Sequence, residues 1–404
     1  MVAPSLSTRG RTAPASPIRR LTPFADAAKD RGVTVHHLNI GQPDIATPEA
    51  MIEAYRSFDD RVLAYAPSQG FLAYRERLAR YYDGVVGDQP PVRADDIIVT
   101  TGGSEALLFV VGAICDPGDE IVVCEPYYTN YAGFSHLLSV SVKAVTCHAA
   151  EGFAIDPAAV AAAVTPKTKA IVLPSPGNPT GVVLDRDTLE ALATVCRTHG
   201  LYFVGDEVYR EFVYDGSGLA PSLLSLADFT DHAIVVDSVS KRYSACGARI
   251  GNLVSRNPDV VTAALRFAQA RLSPATVDQY AAMAALETPP RYFEEVIARY
   301  RRRRDALVAG LHRIGVATQT PQGAFYLVAP LPVDDADAFC RFLLEHFDHE
   351  GETVMLAPAS GFYASPGRGR NEVRIAYVLE REKLERCVDI LGAGLEAFRR
   401  HAPS

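Results

Sequence analysis

The stretch "TKAIVLPSPGNPTG", Thr168–Gly181, carries the first decision about this chain. Ala170-Ile171-Val172-Leu173 is an unbroken apolar run, as expected of a strand covered on both faces. It feeds into a loop where Pro176 and Pro179 restrict the backbone around Asn178, so one carboxamide is presented with little freedom. A carboxamide held that way can donate to an oxyanion. A loop so rigid after a strand so apolar points to a ligand.

Working outward, residues 95–255 repeat the pattern. "DIIVTTGGSEALLFVVGAI" reads strand, glycine turn, helix; "DEIVVCEPYY", "SVKAVTCH", "LYFVGDEVY" and "AIVVDSVSK" add strands, and Asp185 to His199 reads as a helix. Apolar strands alternating with helices predict an α/β fold with a mostly parallel sheet between helices. Helical patterning dominates from Pro258 to about Ile314, with "PRYFEEVIARYRRRRDALVAGLHRIG" as one long helix. Beyond it "AFYLVAP" and "EVRIAYVL" read as strands, with helices at Val333 to His346 and Arg381 to Arg399. This predicts a smaller α+β domain after about residue 290. The expected division is an arm at 1–15, an N-terminal segment at 16–45 packing with the small domain, a large domain at 46–290 and a small domain at 291–404.

The bulk properties narrow the classes. The chain has 404 residues, 48% hydrophobic and 22% charged, which suits a soluble globular protein of two or three domains. A net charge of -8 disfavours sequence-independent nucleic-acid binding. No apolar run approaches the ~20 residues of a membrane span. Seven scattered cysteines without a Cys-x-x-Cys pair read as reduced thiols in a cytoplasm-like compartment. The first twenty residues contain Arg, Ser and Pro but no acid. Pro4, Pro14 and Pro17 break any amphipathic helix there, so a frayed arm is expected rather than a transit peptide.

Four strand ends carry chemistry, and ligands of open α/β sheets bind at such ends. Thr101-Gly102-Gly103-Ser104-Glu105 opens a helix and reads as a phosphate cradle, or as a plain turn capped by Ser104. Asn178 is the second. In "GDEVYREF", Asp206 and Glu207 end a strand, where a buried carboxylate needs a cationic partner; Tyr209 can reach the same pocket, and Asp206 reads equally well as a helix cap. In "DSVSKRYSACGARIG", Ser238, Ser240, Lys241 and Arg249 stand together; a lysine in a desolvated site becomes a nucleophile for carbonyls. An amine, an isolated acid, an anion nest and phenol and amide donors together suit pyridoxal phosphate, whose aldehyde needs the lysine and whose ring nitrogen needs the acid.

With these motifs in this order, and with "LNIGQPD", "YAPSQG" and "EVRIAYVL", the chain resembles the fold-type I pyridoxal-phosphate aminotransferases of class I/II, aspartate-aminotransferase-like branch, from about Ser16 to the last helix. The resemblance implies a seven-stranded sheet in the large domain. It also implies transfer of an α-amino group from an L-amino acid to a 2-oxo acid such as 2-oxoglutarate, by a ping-pong route of aspartate-type or broad specificity. Lys241 becomes the Schiff-base lysine and proton shuttle, Asp206 the partner of the pyridinium, and Asn178 and Tyr209 donors to the ring oxygen. Gly103, Ser104, Glu105, Ser238 and Arg249 surround the phosphate. Tyr128 stacks on the ring, and Tyr65 reaches the phosphate of the neighbouring subunit in a homodimer. Arg374 grips the α-carboxylate with Gly41 beside it.

Several members of the branch carry a basic residue just after the glycine pair; Ser104 stands there instead, which leaves aspartate, alanine or aromatic donors open. The fold also hosts lyases and oxidases. An effector-sensing module on the same fold would carry an added DNA-binding domain, for which the arm before Ser16 is too short. Arg301 to Arg304 reads as a solvated helix face, His346 and His349 as a surface pair at helical spacing rather than a metal site, and Cys246 as a small apolar filler.

Overall fold

The structure, a computed structural model, describes residues 4–401; the readings for residues 1–3 and 402–404 lie outside them. Seven strands form one sheet in the order Ile97–Thr100, Gly251–Val254, Ala233–Ser238, Tyr202–Asp206, Thr168–Pro174, Glu120–Glu125 and Ser141–Thr146. Only Gly251–Val254 runs against its neighbours. The apolar runs are explained by burial on both faces, since alternate residues point opposite ways. Val99, Ile171, Leu173, Phe203 and Val235 join one hydrophobic cluster. Ile98, Ala170, Val172, Val204 and Val236 join the cluster on the other face.

Strand register gathers the polar ends. Pro174 pairs with Asp206, Asp206 with Val236, and Ser238 and Thr100 both pair with Gly251. The Asn178 loop, Asp206, the Lys241 turn and the Gly102 turn therefore lie along one sheet edge.

A second core is built from the long helix Pro290–Arg313, the helices Ala336–Glu345 and Arg381–His401, and the antiparallel strands Tyr326–Pro330 and Glu372–Ala376. The N-terminal segment joins it: Leu21, Ala25 and Leu38 are buried there, and Thr34–His37 pairs in parallel with Glu352–Met355. Tyr209 and Phe212, from the loop after the Asp206 strand, also pack into this core. The site edge is thus clamped between two hydrophobic bodies.

Three expectations are corrected. The arm holds a short helix, Thr8–Thr12, because its prolines flank the turn instead of interrupting it and Ser7 caps it; Arg9 donates to Leu137 O at 2.8 Å. Of the arginine run, only Arg301 and Arg302 are exposed. Arg303 is buried, in a fork to Asp44 (2.7 and 3.0 Å) with Glu380 at 2.7 Å, and Arg304 lies over the Tyr214 ring. The long helix keeps one solvated face, carrying Arg301, Arg302 and Asp305, and turns Arg303 inward. Finally, the helix ends at Glu345, so His346 and His349 do not share a helical face.

Candidate active site

A cavity of about 550 Å³ opens at that sheet edge. Gly41, Gly103, Ser104, Tyr128, Asn178, Asp206, Tyr209, Ser238, Lys241, Arg249 and Arg374 all line it. These residues come from seven separate stretches of chain, brought together by register and by the second core.

The helix Gly102–Ile114 starts at the cavity with no side chain capping its first turn. Ser104 is the third helical residue, not the cap, and Thr101 holds the cap position. The leading N–H groups of Gly102, Gly103 and Ser104 are therefore available to an anion. Glu105 does not line the cavity: its carboxylate accepts the Thr101 N–H at 2.7 Å and pairs with Arg271 at 2.9 Å. Two glycines make the nest possible. A Cβ on Gly102 (φ +74°) would lie 2.5 Å from Arg249 Nη2, and one on Gly251 would lie 2.5 Å from the Gly102 carbonyl carbon. The Arg249 guanidinium thus sits against the helix start, with Nη1 also donating to Cys246 O at 3.1 Å. Ser238 caps the Lys241 turn, accepting the Ser240 N–H at 3.1 Å, and its Oγ is 2.7 Å from Ser240 Oγ.

Lys241 Nζ donates to Gly41 O at 2.9 Å and lies 3.6 Å from Cys246 Sγ. Cys246 lines the cavity, so the filler reading is corrected. Gly41 allows the close approach, since a Cβ there would fall 1.8 Å from the Tyr326 hydroxyl.

Asp206 has no cationic partner among the described residues. Its Oδ2 accepts the Tyr131 hydroxyl at 2.8 Å, and its buried Oδ1 has no hydrogen-bond partner. Burial pushes its carboxyl up to about 6, against the pull of Tyr131 and the Val208 N–H. No helix follows it, so it is not a cap. The partner expected of a buried acid belongs to Glu207 instead, paired with Arg210 at 2.8 Å.

Arg374 Nη1 donates to Asn178 Oδ1 at 3.0 Å. Arginine can only donate, so the amide oxygen is committed and the amide NH₂ is left as the donor. Arg374 also donates to Asn39 O, lies over the Tyr326 ring, and keeps a buried Nε without a partner. Burial draws its pKa down. Tyr209 and Tyr326 share a hydroxyl hydrogen bond of 2.9 Å.

Tyr131, Tyr326 and Arg19 are site residues that sequence reasoning missed. Tyr131 was within sight, three residues beyond Tyr128 in "EPYYTNY". Tyr326 is 117 residues from Tyr209, with no motif to join them. Tyr65 lies outside the cavity and is 81% exposed.

An amine, an acid with an open oxygen, an anion nest and a carboxylate fork in one cavity can hold a phosphorylated carbonyl compound and a carboxylate at once. Comparison with known proteins agrees. Residues 33–391 match the family "Aminotransferase class I and II". An aspartate/prephenate aminotransferase from Thermus thermophilus is 35% identical, covering 89% of this chain and 90% of its own. An arginine–pyruvate transaminase from Pseudomonas aeruginosa is 34% identical over 89% of this chain and 90% of its own. The solved aspartate aminotransferase from Thermus thermophilus with maleate superposes with a TM-score of 0.86 at 32% identity, covering 97% of this chain and 100% of that one. The chain belongs to the class I and II aminotransferases, with the fold-type I architecture, and is an enzyme of the transaminase type.

Proposed function

We propose that the enzyme moves an α-amino group from an L-amino acid to a 2-oxo acid such as 2-oxoglutarate, using pyridoxal phosphate, the cofactor known for this family. The observation that carries this reading is the buried Asp206 Oδ1 without a partner, in the same cavity as Lys241 and an uncapped helix start. A buried acceptor without a donor needs an explanation, and a protonated ring nitrogen supplies one. The nest that a Cβ on Gly102 or Gly251 would fill fits a phosphate.

In this reading the N–H groups of Gly103 and Ser104, the Ser238 hydroxyl and the Arg249 guanidinium hold the phosphate. Glu105 offers at most its backbone. Tyr209 and the Asn178 NH₂ would hold the ring oxygen as donors, and Tyr128 would hold the ring. Arg374, steadied by Asn178 and Asn39, presents a fork to the substrate α-carboxylate next to Gly41. When bound, the cofactor supplies an aldehyde for the amino group and a ring that withdraws electrons from the α-carbon. Lys241 Nζ would take the α-proton, and Asp206 would keep a proton on the ring nitrogen. The burial of Asp206 and the half-burial of Lys241 strengthen these interactions.

The amino donor is aspartate-type or broad, which the named relatives support. The exposed Tyr65, with Val62 and Leu63 beside it, suits a homodimer in which Tyr65 reaches the partner's phosphate site. The two cores support a large and a small domain divided near residue 290. Among the described residues no helix is long and apolar enough to cross a membrane, which suits a cytoplasmic setting. The test is a half-reaction screen. Protein loaded with cofactor is mixed with single amino acids while the visible absorbance band and the products are followed. At least one amino acid should exchange the band for a shorter-wavelength one, release a 2-oxo acid and keep the nitrogen on the protein. Release of free ammonia instead would mean a lyase or an oxidase.

A further inference from the structure

We propose that Arg19 reads the far carboxylate of a dicarboxylic amino or oxo acid in this site. The inference rests on the aminotransferase reading for the roles of the other cations and adds the substrate class.

Four cations line the cavity: Arg19, Lys241, Arg249 and Arg374. Three are committed. Lys241 is held on Gly41 O, Arg249 sits against the helix start, and Arg374 is tied to Asn178 and Asn39. The Arg19 side chain makes no hydrogen bond or ion pair among the described residues. Its neighbour Arg20, by contrast, bonds Ser360 and pairs with Asp337. Arg19 is exposed, and its charge reaches the site at no cost of burial.

Arg19, Tyr128 and Arg374 line the same cavity. A short chain gripped at its α-carboxylate by Arg374 lies in the cavity that Arg19 also lines. The residue after the glycine pair, Ser104, supplies no cation of its own, so Arg19 provides the second charge from a different element, the N-terminal segment. Among the described residues Asp206 is the only carboxylate lining the cavity, and none of the other lining residues carries a negative charge for a cationic side chain. Guanidinium groups are suited to carboxylates through their planar fork.

The experiment compares Arg19→Gln and Arg19→Lys with the wild-type holoenzyme. Equilibrium binding of succinate and of butyrate, both unreactive, is measured alongside kcat/KM in half-reactions with glutamate, aspartate and alanine, and retention of pyridoxal phosphate. Losing a charge-assisted pair should weaken succinate binding and the reactions of glutamate and aspartate by about 10- to 100-fold. Butyrate and alanine should stay within about threefold, cofactor retention should not change, and Arg19→Lys should recover part of the loss. Equal losses for both ligand classes, no loss for either, or a wild type that prefers butyrate would overturn the assignment. Weakened cofactor retention would also overturn it, by moving Arg19 to the phosphate. A wild type that converts no amino acid defeats the aminotransferase reading, while the succinate-to-butyrate ratio still decides the role of Arg19.

Discussion

Asp206 shows what a single buried atom implies. Its carboxyl is raised from an ordinary 3.8 to about 6 by burial. The folded state therefore binds that proton more tightly than the unfolded chain does. In cofactor-free protein, stability falls on this account as pH rises from about 4 to about 6, and the deficit is then constant. Asp206→Asn removes it. The cofactor-free variant should match wild type near pH 4 and exceed it at pH 7 by on the order of 3 kcal/mol, read from urea midpoints at both pH values. Equal midpoints at pH 7 would contradict the argument. Gly41 makes the converse case. Gly41→Ala places a methyl in the Tyr326 hydroxyl, and overpacking of that kind costs about 1–3 kcal/mol; an unchanged melting temperature would mean the approach is looser than the structure has it. The donors around these atoms were legible to different degrees. Asn178, Lys241 and Arg249 stand in local motifs, whereas Tyr326 and Arg19 reach the cavity only through long-range packing.

At the scale of elements, the strand alternation and the long helix were readable because burial on two faces leaves a strong pattern in the sequence. The strand Gly251–Val254 was not, being four residues that begin with glycine. The inward half of the arginine run was also hidden, since charge alone does not reveal which side of a helix meets a second body. Beneath the Lys241 turn lies a buried charge cluster. Arg242 donates to Glu211 and Asp237 at 2.5 Å each, and Arg210 reaches Asp237 at 3.1 Å. Burial pushes Asp237 up, but the two arginines outweigh it and hold the carboxyl below its usual range. Its contribution to stability is therefore present above the ordinary carboxylate range and lost as pH falls through its depressed value. Arg242→Met leaves the buried Glu211 without a cation and Asp237 with Arg210 alone, and should cost about 3–5 kcal/mol. Chemical denaturation at pH 7 checks this, and a midpoint equal to wild type would show the cluster to be dispensable.

At the scale of the molecule, two cores meet along one sheet edge, and the site is made of what each contributes there. The fold class and the order of motifs were legible because they are local. The partner subunit leaves only a faint trace, an exposed tyrosine in a polar-flanked apolar patch. If Tyr65 completes the neighbour's site, mixing refolded Lys241→Ala and Tyr65→Ala proteins should restore activity, toward about a quarter of wild type for random pairing. Activity no greater than the average of the two parents would argue for self-contained sites. The central claim concerns a covalent bond, and the chain offers a clean test because it has only six lysines, of which Lys241 alone lines the cavity. Protein loaded with pyridoxal phosphate is reduced with borohydride, digested and read by mass spectrometry. The phosphopyridoxyl label should be found on Lys241; label spread over Lys29, Lys143, Lys167, Lys169 and Lys383, or absent altogether, would contradict the account.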